Sequence, residues 1–323
     1  MHDTSPVKGC RVSAPARLHL GFLDLNGGLG RRYGSIGLAL DFPSTDVQVE
    51  RAETTSASGP EHDRVLTVVH RCVEALKLKG HYKVDVAQAI PAHAGLGSGT
   101  QLALAIGFAL MRIEGLSLSP QQIGDLAGRG ARSAIGMAAF EGGGFIVDGG
   151  RGTLDRPPPV LIQMPFPDAW RCLLVLDPRD QGAHGDRETK AFSALPPFQD
   201  ALADRLCRLV LMQLVPGLKE QDITAFGAAL TEIQRIVGGH FAAAQGGSPW
   251  TSPAVGALLQ RAGEQGATGI GQTSWGPTGF AFVRSEDVAA RLYHSLVEDA
   301  KASGLEIVIV RGRNAGATIA TYP

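Results

Sequence analysis

The chain has 323 residues, 44% of them hydrophobic and 19% charged, with a formal net charge of -1. That is enough apolar surface for one large or two medium cores, which excludes a disordered chain. It also excludes the basic field that nucleic-acid binding demands, and no run approaches the ~18 apolar residues of a membrane span.

From the N-terminus, MHDTSPVKGC lacks the apolar core of a signal peptide, so a cytoplasmic protein without membrane partners is expected. RVSAPARLHLGFLDL alternates as one or two strands, and NGGLGRRYGS is a doubly basic, glycine-rich loop. Strand-like alternation returns at VQVE. The stripe Val65, Val68, Val69, Val73 and Leu76 predicts a helix stopped by Gly80. KVDVAQAI is a strand, and PAHAGLGSGT leads from it into the long apolar run QLALAIGFALMRI, with a helix start near Ser98. SPQQIGDLAGRGARSAIGMAAF reads as helix, loop and second helix start, and EGGGFIVDGG as a short strand between turns.

The prolines of RPPPV and MPFP mark a break. Beyond them RCLLVLDP is a buried strand, 185 to 265 is mostly helical by pattern, and ATGIGQTSWGPTGFAFV is a glycine-rich loop running into a strand. RSEDVAARLYHSLVEDAKASG is a helix, and LEIVIVRGRNAGATI closes with strands. The expected fold class is α+β in two domains, 1–160 and 161–323. Cys10, Cys72, Cys172 and Cys207 show no metal or disulfide spacing.

The chemistry concentrates in glycine-rich stretches. Around Gly95, Leu96, Gly97, Ser98, Gly99 and Thr100, the open N–H groups and positive dipole end of the following helix suit phosphate or pyrophosphate; an ordinary turn is the alternative. No Lys follows the last glycine, so the loop is not a P-loop and its positive charge must come from elsewhere. Arg17 and His19, two apart, share a strand face, as an anion site or as a plain surface face. Of Arg31 and Arg32, one is expected to be solvated. Arg132 and Ser133 sit at a predicted helix start, either as an anion site or as an ordinary cap. Asp24, Asp41, Glu141 and Asp148 lie near turns and could hold Mg²⁺ or stabilise a cation, with Asp24 preferred. Trp275 is either a wall for a ring substrate or core, and His184 either covers the site or is solvated.

PAHAGLGSGTQLALAIG resembles the PxxxGLGSS phosphate motif of the GHMP kinase superfamily, and APARLHLG its N-terminal motif. More narrowly, RLHLGFLDLNGGLGRRYGSIGLAL with GQTSWGPTGF is similar to a branch of it, the β-ribofuranosylaminobenzene 5′-phosphate synthases. The resemblance implies a ribosomal protein S5 domain 2-like N-terminal domain, a ferredoxin-like C-terminal domain, a site in the cleft between them and a homodimer. It implies 4-aminobenzoate and phosphoribosyl pyrophosphate as substrates, with Mg²⁺ accompanying the donor and no pyridoxal phosphate or pyruvoyl group. Arg17, Arg31 and Arg132 would neutralise phosphate, Asp24, Arg17 and His19 would serve the chemistry, and Trp275, Gln272 and Ser274 would meet the aromatic substrate. GFLD and GARSAIG stand where the superfamily's kinases often carry GE[HY] and GxD elements. An ATP-dependent small-molecule kinase and a catalytically silent sugar-phosphate or nucleotide sensor are the other readings of this fold.

Overall fold

The structure, a computed structural model, describes residues 7–119, 122–124, 133–154, 156–179, 195–274 and 276–323. Arg132, His184 and Trp275 lie outside the described residues.

Two sheets carry the fold. The first is built on a long antiparallel hairpin, β1 (Gly9–Asp24) and β2 (Tyr33–Ala52). The alternation of β1 decides its faces: Cys10, Val12 and Ala14 enter one core, and Ala16, Leu18, Leu20 and Phe22 enter another. The opening segment is therefore one continuous strand, with pairing irregularities at Pro15/Ala16 and His19/Gly21. β3 (Ser56–Ser58) and β4 (His81–Gln88) extend the sheet beyond β2, and β5 (Phe145–Asp148) and β6 (Val160–Met164) branch from the other half of β2. α1 (His62–Ala75) and the deeply buried α2 (Ser98–Ile113) pack on it, with Val65, Val69, Leu102, Ile106 and Leu110 meeting Val12, Val47 and Val84.

The second sheet has the spatial order β10-β7-β9-β8, all antiparallel, with β7 (Arg171–Leu176), β8 (Thr268–Gln272), β9 (Gly279–Val283) and β10 (Glu306–Val310). Helices fall between β7 and β8 and between β9 and β10, which is the ferredoxin-like βαββαβ arrangement. After α3 (Ile135–Glu141) in the first half, the helices are α4 (Asp200–Leu209), α5 (Val215–Lys219), α6 (Ile223–Phe241), α7 (Pro253–Glu264) and α8 (Glu286–Ala302). A π-helical turn, Val210–Leu214, joins α4 to α5. TGIGQ is itself strand β8, so the glycine-rich loop begins only at Thr273.

A division at residue 160 falls on the first residue of β6; the chain changes sheet between Met164 and Arg171. The last strand, β11 (Thr318–Tyr322), returns to pair with β1. One core cluster spans both halves, with Leu18, Leu38 and Phe145 of the first sheet beside Phe226 of α6 and Phe280 and Phe282 of β9. Among the described residues no helix is long and apolar enough to cross a membrane, and the four cysteines are free thiols.

Candidate active site

The site is organised along one edge of β1. β11 occupies that edge from Gly9 to Ser13 and then stops. Backbone groups beyond it still need partners, and they find them in three different elements. Arg17 N donates to Leu96 O at 3.1 Å, His19 N to Thr273 Oγ1 at 3.1 Å, and Leu20 O accepts from Gln234 Nε2 at 2.8 Å. The edge thus brings together the glycine loop before α2, the loop after β8, and α6.

The glycine loop has the form its sequence predicts. Gly97, at φ 85°, turns the chain into α2, and no side chain caps that helix. The N–H groups of its first turn and the positive end of its dipole therefore open at the loop, where an anion is favoured. The loop after β8 lies directly on it: a Cβ on Gly276 would stand 2.6 Å from Ala94 O and 2.8 Å from Gly95 Cα. Only two glycines allow that approach. Thr273 Oγ1 fastens the contact by donating to Gly95 O at 2.8 Å while accepting from His19 N.

The missing charge comes from two sides. Arg17 Nη1 donates to Gly95 O at 2.6 Å, and its stem packs against Gly97. Arg64, on α1, reaches Ser98 Oγ at 3.4 Å and Glu61 Oε2 at 3.1 Å. Neither Arg64, Glu61 nor Thr273 stands out in the sequence, because each acquires its meaning only when separate elements meet.

The remaining expected residues divide. His19 is buried beside the loop, stacked obliquely on Phe22 with ring centroids 4.5 Å apart. Burial, aided by the positive charge of Arg17, pushes its imidazole down to about 3. Ser274, held at φ 43°, and Gln272 line the same small pocket. The Gln272 amide is committed to Thr251 N and Gln245 Oε1, which gives it a loop-holding role. Ser133 precedes α3 and its hydroxyl donates to Asp148 Oδ2 at 3.0 Å; α3 itself meets the start of α2, where the Gly136 carbonyl accepts from Gln101 Nε2 at 2.8 Å.

Asp24 and Arg31 are both engaged at the NGG turn. The Asp24 carboxylate accepts from Asn26 N and Gly27 N and shapes the NGG turn. It stands seven residues beyond Arg17 on β1, roughly 20 Å of extended strand. Arg31 donates to the carbonyls of Gly149 and Gly150 and so braces that same turn; its neighbour Arg32 donates to Leu25 O. Asp41 pairs with Arg311. Asp148 is fully buried and accepts from Ser35 N, Gly150 N, Ala134 N and Ser133 Oγ, a structural carboxylate. Glu141 closes α3 at the exposed surface. Among the described residues no group of three or more His, Cys, Asp or Glu side chains is placed to hold a metal.

A ferredoxin-like half joined to a half that opens a glycine loop on a buried helix defines a two-domain protein of the GHMP kinase type. Residues 64–144 match the GHMP kinases N terminal domain and residues 214–302 the GHMP kinases C terminal domain. A beta-ribofuranosylphenol 5'-phosphate synthase of Archaeoglobus fulgidus is 32% identical, with 96% of this chain and 99% of that protein aligned. One from Methanothermobacter thermautotrophicus is 30% identical, with 95% and 97% aligned. The chain belongs to the GHMP kinase family and, within it, to the branch of enzymes these synthases form. Solved structures share the fold: homoserine kinase from Cytophaga hutchinsonii (TM-score 0.69, 18% identity, 99% and 100% of the chains covered) and mevalonate diphosphate decarboxylase from Staphylococcus aureus (0.68, 15%, 97% and 98%).

Proposed function

We propose that the chain transfers the phosphoribosyl group of 5-phosphoribosyl 1-pyrophosphate to the ring of a para-substituted benzoate, releasing CO₂ and pyrophosphate. The observation that carries the reading is the uncapped start of α2 flanked by Arg17 and Arg64, a site shaped for a polyanion. The relatives are named for a ribofuranosylphenol product, so 4-hydroxybenzoate joins 4-aminobenzoate as a candidate acceptor. In either, a para lone pair raises electron density on the carbon bearing the carboxylate.

The chemistry balances without a general base. The bond from ribose C1 to the pyrophosphate oxygen breaks, and pyrophosphate leaves with the electron pair. The ring carbon bonds to C1 and loses aromaticity; the bond to the carboxylate then breaks, its electrons return to the ring, and CO₂ departs. The protein's tasks are to hold the reactants in line, to stabilise the leaving pyrophosphate through loop N–H groups and arginines, and to exclude water. The negative charge nearest the developing cation is then that of the pyrophosphate itself. Mg²⁺ would accompany the donor, whose own phosphate oxygens suit it as ligands. Bound there, it would offset charge on the leaving group. Purified protein given the donor and either benzoate should release CO₂ and pyrophosphate in equal amounts. Pyrophosphate without CO₂, or turnover that consumes ATP, overturns the reading.

A further inference from the structure

Beside the glycine loop lies a small pocket lined by His19, the apolar side chains of Phe22, Val237 and Phe241, and the polar Gln234 and Gln272. It has room for about one water-sized group. The two glutamines are committed to fixed partners: Gln234 donates to Leu20 O and accepts from Gln272 N, and Gln272 binds Thr251 N and Gln245 Oε1. His19 Nδ1 differs. It is buried and, among the described residues, has no hydrogen-bond partner. A buried polar atom left unpaired is costly, and native structures keep few of them. The ring is also neutral across the physiological range, because burial and the nearby Arg17 charge disfavour the imidazolium. A neutral imidazole offers one acceptor and one donor nitrogen.

We propose that His19 Nδ1 accepts a hydrogen bond from the para hydroxyl or amine of the aromatic acceptor, so that this pocket selects which benzoates the enzyme uses; the assignment rests on the reaction proposed above. Size and polarity agree. Hydroxyl and amine each place one heavy atom with a donor hydrogen in the pocket, methoxy and acetamido groups are too large, nitro brings no donor, and a bare para hydrogen leaves Nδ1 unpaired. The pocket also lies close to the phosphate loop: His19 is two residues from Arg17 on β1, about 7 Å along the strand. The hydrogen bond also serves the chemistry. Accepting from the para group leaves electron density on that group and hence on the ring carbon that attacks, while the proton stays on the substrate because so weak a base does not remove it.

The test measures binding of 4-hydroxybenzoate and of benzoate to the full chain by calorimetry, with inorganic pyrophosphate present. The wild type should prefer the hydroxylated acid by about tenfold. His19→Phe, which keeps a ring and removes the nitrogen, should bring the two within about twofold, and His19→Asn, which returns an acceptor near the Nδ1 position, should restore the preference. His19→Phe with an undiminished preference overturns the proposal. Should the variants not fold, ¹⁵N-resolved NMR of the wild type decides alone: the Nδ1 resonance of His19 should move on adding 4-hydroxybenzoate and stay in place with benzoate. An unmoved resonance in a protein that turns over 4-hydroxybenzoate overturns the role of His19 and leaves the reaction standing. A wild type that binds neither aromatic acid and releases no CO₂ overturns the reaction itself.

Discussion

Arg64 shows how a single side chain changes meaning once elements meet. In the sequence it is one polar position on an amphipathic helix; in the fold its guanidinium faces the hydroxyl of Ser98, the first residue of α2. Arg64→Ala should weaken donor binding by about tenfold, the worth of one charge-assisted hydrogen bond of ~1.5 kcal/mol, and leave binding of the aromatic acid unchanged. Calorimetry with each ligand separately checks this, and an equal loss for both would place Arg64 elsewhere. His19 gives a prediction in pH. Its folded pKa, lowered to about 3 from 6.5, means that the unfolded chain binds a proton between those values which the folded chain refuses. The stability this contributes is present above pH 6.5 and is lost as pH falls toward 3. His240, also lowered by burial, acts in the same direction, so the informative quantity is the difference between wild type and His19→Phe. Urea midpoints at pH 7 and pH 5 should fall more in the wild type than in the variant.

At the scale of elements, the glycine loop was legible in the sequence because its meaning is local: a strand, three glycines and an apolar helix follow one another between His81 and Ile113. Arg17 and His19 were legible through strand alternation. That the glycine-rich stretches 91–100 and 269–279 could converge was suggested by their composition, but the particular contact of Gly95 with Gly276 was not, because Thr273 and Gly95 are 178 residues apart and no periodicity announces which residues touch. Asp24 was ambiguous for a related reason: an acidic residue before NGG looks the same in sequence whether it shapes a turn or faces a ligand, and in the fold its carboxylate accepts from Asn26 N and Gly27 N. The meeting of the two loops is testable. Thr273→Val keeps the shape and removes the oxygen, leaving His19 N–H buried without its acceptor. A loss of about 1–3 kcal/mol in unfolding free energy is expected, with a raised KM for the donor because Gly95 loses one of its two anchors. Wild-type stability in this variant would show that the hydroxyl does not hold the loops together.

At the scale of the whole molecule, the change in composition around the proline run marks a change of sheet but not a separable unit. The reason lies in how the apolar faces are used. Leu18, Leu20, Ile36 and Leu38 look outward from the first sheet and are covered by α6 and by Phe280 and Phe282 of the second. β11 crosses back after the second sheet is complete and pairs with Gly9–Ser13. Each half keeps a cluster of its own, but neither alone covers the face used by the shared cluster, and the meeting of the two loops is fixed by the same packing that stabilises the fold. The full chain should unfold in one cooperative transition, with near- and far-ultraviolet circular dichroism changing together in urea. A fragment of residues 161–323 keeps the ferredoxin-like strand order but uncovers Phe226, Phe280 and Phe282 on one face, and it also carries the orphaned strand Thr318–Tyr322. Such a fragment should show secondary structure without a cooperative transition and should bind a hydrophobic dye, the behaviour of a chain that has collapsed without fixed packing. A fragment that instead melts sharply and stays monomeric would show that the second half closes its own core and that the two halves are independent bodies.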